Sequence, residues 1–197
     1  GLRLTIHRFA FPTEIHFGAG ARREAAAYLA AHGCRRPLII TDAGIAALPL
    51  LAEFKSTLHG LEVEVFAGVR GNPVKSQVDA GVAAFKKHAA DSVIGFGGGA
   101  ALDVAKVVAL MSNHQGEVLE YAWDHPQVRA IEHELPCFIA LPTTAGTGSE
   151  VGRSSVISDD ATHIKKIIFS AKLLAKAVFA DPELTLGLPA HVTAATG

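Results

Sequence analysis

Short apolar runs alternate along the chain with longer stretches of helical periodicity, an order that is typical of a parallel sheet covered by helices. The pattern predicts strands over residues 38–41, 62–66, 92–96 and 138–141, and a last short apolar run, 178–180, precedes Asp181 and Pro182. It predicts helices over residues 21–32, 75–90 and 100–111. Strict alternation of polar and apolar positions in 62–66 favours a strand near the sheet edge. We therefore predict a single α/β domain over most of the chain.

Two segments break this pattern. Residues 4–17 have mixed β character and predict a hairpin at an edge of the sheet. Residues 116–136 are the least regular part of the sequence, and we expect them to form a surface excursion.

Composition narrows the classes of protein that fit. Of the 197 residues, 49% are apolar and 19% are charged, a balance that argues against intrinsic disorder. The formal net charge of −1 argues against a basic nucleic-acid-binding surface. No apolar run approaches the ~20 residues of a membrane span. Cys34 and Cys137 lack metal or redox spacing, so we expect small buried thiols in a cytoplasmic protein.

Two of the predicted strands run into glycine-rich segments, at the sheet edge where open parallel sheets bind ligands. Gly97, Gly98 and Gly99 follow one strand and precede a helix, so their backbone N–H groups suit a phosphate or pyrophosphate. A tight turn without a ligand explains the same triplet. The G-x-G-x-x-A match from Gly95 to Ala100 is weak, because no acidic residue ends a neighbouring strand ~20 residues later.

The segment from Pro142 to Glu150, P-T-T-A-G-T-G-S-E, follows another buried strand. Its hydroxyl groups and backbone amides predict contacts to the phosphate, ribose or amide of a nucleotide. Helix capping by Ser149 and Glu150 is the alternative, although the segment is longer than a cap requires.

Two carboxylates lie near these segments. Asp42 ends the first buried strand, where a carboxylate accepts hydrogen bonds from the adenosine ribose and repels a 2′-phosphate, which favours NAD over NADP. An Asx turn or a helix N-cap is at least as common there. Asp103 and Lys106 share one helix face, and form either a surface pair or a site with Asp103 beside the ligand. The histidines show no i,i+4 pair, so we expect no metal site made wholly by this chain.

Together these motifs resemble those of the iron-containing (group III) alcohol dehydrogenase family. Residues 97–106, G-G-G-A-A-L-D-V-A-K, are similar to the family's GGGS-x-x-D-x-A-K block, and residues 142–150 are similar to its P-T-T-A-G-T-G-S-E block. Residues 71–73, 181–189 and 193–197 resemble further stretches of the family, and the blocks span essentially the whole chain.

The resemblance implies an NAD-dependent dehydrogenase, with NADP less favoured, that interconverts an alcohol and an aldehyde or ketone by hydride transfer. It implies a Rossmann-like nucleotide-binding domain of the dehydroquinate synthase-like superfamily over residues 1–185, with 186–197 leading into a helical domain. That domain would hold iron or zinc through ligands outside this chain, so we expect little or no turnover from the chain alone.

The resemblance also assigns site residues. Gly98, Gly99 and Asp103 would meet the pyrophosphate and nicotinamide side, and Asp42 the ribose. The remaining cofactor residues that it implies are Thr143, Thr144 and Thr147 around the adenine and phosphates, Asn72 beside the cofactor, and Lys166 near the adenosine. Ala100 replaces the family's serine, which removes one hydroxyl contact to the pyrophosphate.

Other functions stay open at the level of sequence. A non-catalytic dinucleotide-binding module would use the same residues, and maleylacetate reductase-like, hydroxy-acid dehydrogenase or dehydroquinate synthase-like relatives are alternatives. The expected partner is a small alcohol or aldehyde, with no nucleic acid and no membrane, and a homo-oligomer stays open. The sequence names neither the substrate nor the metal.

Overall fold

The central strands follow the apolar runs of the sequence in the computed structural model, which describes residues 5–10, 13–144 and 152–186. The strands are β1 (His7–Ala10), β2 (Glu14–Phe17), β3 (Pro37–Asp42), β4 (Glu64–Val69), β5 (Ser92–Gly97), β6 (Cys137–Pro142), β7 (Ser154–Ser158), β8 (Lys165–Phe169) and β9 (Ala177–Ala180). Within the described residues, one seven-stranded sheet has the order β1-β2-β9-β6-β5-β3-β4, and β7 and β8 form a separate hairpin. All neighbours in the large sheet are parallel except β1 and β2.

The helices are α1 (Ala25–Ala31), α2 (Ala43–Ala46), α3 (Pro49–Ser56), α4 (Lys75–His88), α5 (Gly99–Ser112) and α6 (Pro182–Leu186). The predicted α/β fold is confirmed, as are the four predicted strands and the edge position of β4, and the apolar run 178–180 lies within β9. The edge hairpin is confirmed as β1 and β2. The helix predicted over residues 21–32 begins as a 3-10 turn, Ala21–Glu24, before α1. The helices α2 and α3 and the hairpin β7–β8 were not predicted.

The central strands are apolar at consecutive positions because helices cover both faces of the sheet. On β3, Leu38 and Ile40 pack into the layer that holds α4 and α5. Ile39, between them, packs into the opposite layer with Phe54 of α3. Leu38, Ile39 and Ile40 are all fully buried, as is Phe54. This part of the strand therefore shows no alternation of polar and apolar residues.

The strand order places a crevice at the carboxyl edge of the sheet. From β3 the chain passes through α2 and α3 to β4 at the edge, then returns through α4 to β5 on the other side of β3. The connections that leave β3 and β5 therefore run over opposite faces, because α3 and α5 belong to different layers. In open α/β sheets a ligand binds where neighbouring strands diverge in this way.

The unpredicted hairpin packs on α5, where Ile157 of β7 and Ile168 of β8 join the core. The irregular segment predicted over residues 116–136 lies beside it, with one 3-10 turn at Val118–Tyr121. The backbone N–H of Trp123 donates to the carbonyl of Ile167 over 2.9 Å. This hydrogen bond joins the surface excursion, residues 116–136, to the hairpin β7–β8.

The prediction of buried thiols holds for Cys34, whereas Cys137 is partly buried. Both thiols are free, Cys34 is buried, and burial raises the pKa of Cys137 to about 12. No helix of the described residues is long and apolar enough to cross a membrane. The described chain reaches Leu186 at the end of α6, and the domain boundary at 185/186 stays a prediction.

Candidate functional site

Three of the predicted segments meet at the crevice between β3, β5 and β6. Asp42 ends β3, Gly97 ends β5, and Thr143 follows the last residue of β6. The backbone N–H of Thr143 donates to the carbonyl of Gly97 over 2.9 Å. A Cβ atom added to Gly97 would lie 3.7 Å from Oδ2 of Asp42. The structure thus brings the aspartate, the glycine turn and the threonine segment into one site.

Gly97 is required by the packing of the turn. Its φ is +155°, and an added Cβ would lie only 2.9 Å from the Cβ of Ala101 on α5. Gly98 is the N-cap of α5, and Gly99 is the first residue of that helix. The amide groups of a first helical turn have no intrahelical acceptor, and with the helix dipole they favour an anion. The triplet is therefore both a tight turn and a suitable phosphate cradle.

Asp42 caps a helix with one carboxylate oxygen, and its other oxygen could still accept a hydrogen bond from a ribose. Its Oδ1 accepts a hydrogen bond of 2.7 Å from the backbone N–H of Ile45, which caps α2. Its Oδ2 is buried and has no hydrogen-bond partner among the described residues. One carboxylate oxygen is thus used by the fold, and the other is available to a donor in the crevice.

Three threonine hydroxyls share this property. Thr41, Thr143 and Thr144 are buried, and none of their Oγ1 atoms has a partner among the described residues. A buried hydroxyl without a hydrogen bond costs about 1–3 kcal/mol. Together with Oδ2 of Asp42, these atoms lie at or directly after the carboxyl ends of β3 and β6, where a ligand with donors and acceptors would satisfy them.

Asp103 lies one turn into α5, with its side chain 18% exposed. Its Oδ2 accepts from the backbone N–H of Val156 over 3.4 Å. Burial raises the pKa of Asp103 to about 6, and the positive charge of Lys106 opposes that rise. The surface-pair interpretation is wrong, because the Lys106 side chain is fully buried. Periodicity alone did not show that the hairpin β7–β8 covers this helix face.

The other predicted cofactor residues lie around the hairpin or outside the described residues. Asn72 is exposed after β4, and its turn is joined to the hairpin by a 2.9 Å hydrogen bond from the N–H of Ser158 to the carbonyl of Pro73. Lys166 of β8 forms an ion pair of 3.0 Å with Asp124. Thr147 lies outside the described residues, as does the rest of the segment 145–150.

Sequence reasoning missed Thr41 and Asp124. Thr41 carries a visible signal, since it is a polar residue inside an otherwise apolar strand directly before Asp42. Asp124 carries none, because its contact with Lys166 depends on how the excursion folds back on the hairpin. Among the described residues, no three His, Cys, Asp or Glu side chains form a group that could hold a metal ion.

Similar proteins share this chain's sequence over nearly its whole length. A 4-hydroxybutyrate dehydrogenase from Cupriavidus necator is 39% identical over 187 residues, which cover 94% of the chain and 48% of that relative. The NAD-dependent methanol dehydrogenase of Bacillus methanolicus is 33% identical over 191 residues, with 96% and 49% covered. The chain therefore spans about half the length of the curated relatives it matches.

A solved structure shares the fold. Sulfoacetaldehyde reductase from Bifidobacterium kashiwanohense in complex with NAD+ aligns with a TM-score of 0.85 and 29% identity, over 100% of this chain and 50% of that one. The family model described as iron-containing alcohol dehydrogenase matches residues 12–182. The resemblance seen in the motifs is thus confirmed, and the chain belongs to the iron-containing alcohol dehydrogenase family.

Proposed function

We propose that the complete protein containing this chain is an NAD-dependent dehydrogenase that interconverts a small alcohol and its aldehyde or ketone. In this proposal the chain supplies the cofactor-binding part of the active site. Two relatives support NAD as the cofactor, because one is named an NAD-dependent methanol dehydrogenase and the other was solved with NAD+.

The observation that carries the proposal is the group of buried polar atoms without partners beside the glycine turn. They are Thr41 Oγ1, Asp42 Oδ2, Thr143 Oγ1 and Thr144 Oγ1. Threonine hydroxyls donate to phosphate oxygens, and a carboxylate accepts from ribose hydroxyls. The residues therefore fit a dinucleotide, which presents both kinds of group.

The roles of individual residues follow from this chemistry. The backbone amides at Gly98 and Gly99 would hold the pyrophosphate, and Oδ2 of Asp42 would accept from the adenosine ribose. Thr143, Thr144 and Thr147 would bind phosphate oxygens and the adenine region. The last three proposed contacts are Asn72 beside the cofactor, Asp103 on the nicotinamide side and Lys166 on the adenosine side.

When bound, the nicotinamide ring gives or takes the hydride that the alcohol carbon exchanges. This chain's residues orient the cofactor and exclude water from the crevice. The family name implies iron, but the described residues offer no ligand group for it, so no step is assigned to a metal. We propose that iron or zinc, where the complete protein uses it, is held by residues beyond those described.

Thr143→Val tests the role of the unpartnered hydroxyls. This substitution removes a hydroxyl without changing the volume much, so we expect the Kd for NADH to rise about tenfold, as for the loss of one hydrogen bond to a charged group. The cofactor-free protein should keep or gain stability, by up to about 1–3 kcal/mol, because the variant removes a buried hydroxyl that has no hydrogen-bond partner among the described residues. NADH fluorescence titration and denaturant unfolding measure the two quantities.

Thr13→Val is the matched control. Thr13 is also a buried threonine, but its hydroxyl donates to the carbonyl of Ala175 over 2.8 Å. We expect this variant to lose about 1–3 kcal/mol of stability and to bind NADH as the wild type does. Equal NADH affinity in wild type and Thr143→Val would overturn the assignment of the site.

Chelation separates a dehydrogenase from a non-catalytic dinucleotide-binding module. The complete protein should reduce NAD+ with a small alcohol, lose that activity after chelation and regain it with added iron or zinc. NADH binding without any turnover, before and after metal addition, would favour the non-catalytic module instead.

A further inference from the structure

Lys106 is a fully buried cation in an otherwise apolar part of α5. Its side chain has 0% exposure, and its neighbours Ala105 and Val107 are also fully buried. Removing an ammonium group from water is costly unless it is paired and hydrogen-bonded, so a lysine in this position requires a reason. Among the described residues, its polar contacts include those with β7 and with Asp103, one turn earlier on the same helix.

Three polar contacts join the first turns of α5 to the start of β7. Nζ of Lys106 donates to the carbonyl of Ser154 over 3.1 Å. The Ser155 hydroxyl donates to the carbonyl of Asp103 over 2.8 Å, and the N–H of Val156 donates to Oδ2 of Asp103 over 3.4 Å. Lys106 and Asp103 therefore hold the same three residues of the hairpin from one helix face.

The charges of these two residues depend on each other. Nζ of Lys106 lies 3.9 Å from Oδ1 of Asp103, and Lys106 is the charged side chain of α5 that opposes the effect of burial on that carboxyl. From the described part of β7, the neutral N–H of Val156 faces the carboxylate of Asp103, whereas the Ser155 hydroxyl donates to the backbone carbonyl of that residue. Without the ammonium group, burial would act against the carboxylate with little opposition.

We propose that Lys106 is a positioning residue that keeps Asp103 ionised beneath the hairpin, where the carboxylate accepts a hydrogen bond from the nicotinamide half of the cofactor. The inference rests on the proposed function, because it assigns Asp103 a cofactor donor such as a ribose hydroxyl or an amide N–H. The pyrophosphate is not a suitable partner for an ionised Asp103, because the two anions would repel each other.

The test uses the complete protein with Lys106→Met and Lys106→Arg. A ¹³C NMR titration of aspartate-labelled protein follows the Asp103 carboxyl, assigned by its absence in Asp103→Asn. We expect Lys106→Met to raise the midpoint of this titration by about one pH unit, as the loss of a nearby opposite charge does, and Lys106→Arg to restore it. The pH at which NADH affinity falls by half should move by the same amount.

Controls separate positioning from folding. Ser155→Ala disturbs the same contact between α5 and β7 without changing a charge, so it should leave the Asp103 midpoint where it is. Lys106→Gln, whose amide can still donate to Ser154, replaces Lys106→Met if that variant does not fold. An unchanged midpoint in both neutral variants would overturn the proposal. Because the carboxyl titration needs no cofactor, it decides the role of Lys106 even if the wild type fails to bind NADH.

Discussion

Asp42 shows how one residue serves the fold and the site at once. Its Oδ1 caps α2, and its Oδ2 stays without a partner among the described residues at the crevice. The two interpretations that the sequence left open, a helix cap and a ribose acceptor, are therefore compatible. Any substitution of Asp42 changes both functions unless the new side chain keeps a cap.

Asp42→Ser separates the two functions. Serine still caps α2 but removes the charge that repels a 2′-phosphate, so the ratio of kcat/KM for NADP to that for NAD should rise at least tenfold. Asp42→Gly should raise the ratio as well, with a stability loss of a few tenths of a kcal/mol for the missing cap. Steady-state kinetics of the complete protein check both, and an unchanged ratio in both variants would exclude the ribose role.

Which residues have unpartnered atoms could not be read from the sequence. Thr41, Thr143 and Thr13 are all buried threonines in or beside strands, yet of these three only Thr13 has a side-chain hydrogen-bond partner among the described residues. The difference depends on which carbonyl the fold places nearby, over a sequence distance that no local pattern reports. The sequence motifs located the site, and the structure showed which of its threonine hydroxyls have no hydrogen-bond partner among the described residues.

At the scale of elements, the sequence predicted the strands that are buried on both faces as well as the edge elements β1, β2 and β4, but it missed α2, α3 and the hairpin β7–β8. β3, β5 and β6 are runs of apolar residues, which periodicity detects. α2 has four residues and is followed by Pro49 at the start of α3, so the pair shows no helical repeat. The hairpin β7–β8 buries Ile157 and Ile168 against the core beside α5, a contact that no local pattern in the sequence reports.

His114 fixes the excursion to the end of α5, and its chemistry makes that contact sensitive to acid. Its Nε2 accepts from the backbone N–H groups of Glu132 and His133, each over 3.1 Å. Its Nδ1 lies 2.9 Å from the carbonyl of Leu110, which places the single proton on Nδ1. A second proton on Nε2 would face two donors, so the contact requires the neutral ring.

The free energy of unfolding should therefore decrease as the pH is lowered. Burial lowers the pKa of His114, and the nearby charges of His133 and Lys172 lower it further, against the effect of Glu132. The unfolded chain then binds the proton more readily, so stability is full above pH ~6.5 and declines as the pH decreases. Denaturant unfolding from pH 7.5 to 5 should show this slope, with amide exchange at Glu132 and His133 rising in parallel.

His114→Gln is the comparison for that slope. Glutamine can accept a hydrogen bond but cannot take up a proton, so its stability should depend less on pH, with a difference from wild type of about 1 kcal/mol at the acid end, the worth of a hydrogen bond. Parallel pH profiles for the two proteins would exclude His114 as the titrating group.

At the scale of the molecule, a buried ionic network joins distant parts of the chain. Nη1 of Arg22 contacts Oδ2 of Asp181 over 2.7 Å, and Nε contacts Glu53 of α3 over 3.0 Å. The Asp181 carboxylate is fully buried at the end of β9. The network ties the turn before α1 to the last part of the described chain.

Arg22→Met should destabilise the protein by about 3–5 kcal/mol, because it leaves the carboxylate of Asp181 buried without a counter-charge. The double variant Arg22→Met with Asp181→Asn should recover part of that loss, since the uncompensated charge is gone. Chemical denaturation of the wild type, both single variants and the double variant measures the coupling. Losses of unfolding free energy that simply add in the double variant would contradict the coupling between Arg22 and Asp181.

The crevice has a further consequence for how the protein responds to heat. Asp42 and Gly97 end β3 and β5, and Thr143 follows β6, so these residues are distant in sequence and meet only in the folded sheet. A dinucleotide bound across them therefore binds the folded protein and not the unfolded chain. At a concentration of one hundred times its Kd, such a ligand adds about 2.7 kcal/mol to the free energy of unfolding. For a domain of this size, that corresponds to a melting temperature higher by about 5–10 °C. The polar atoms that cost stability in the empty crevice thus become the points through which the cofactor protects the fold.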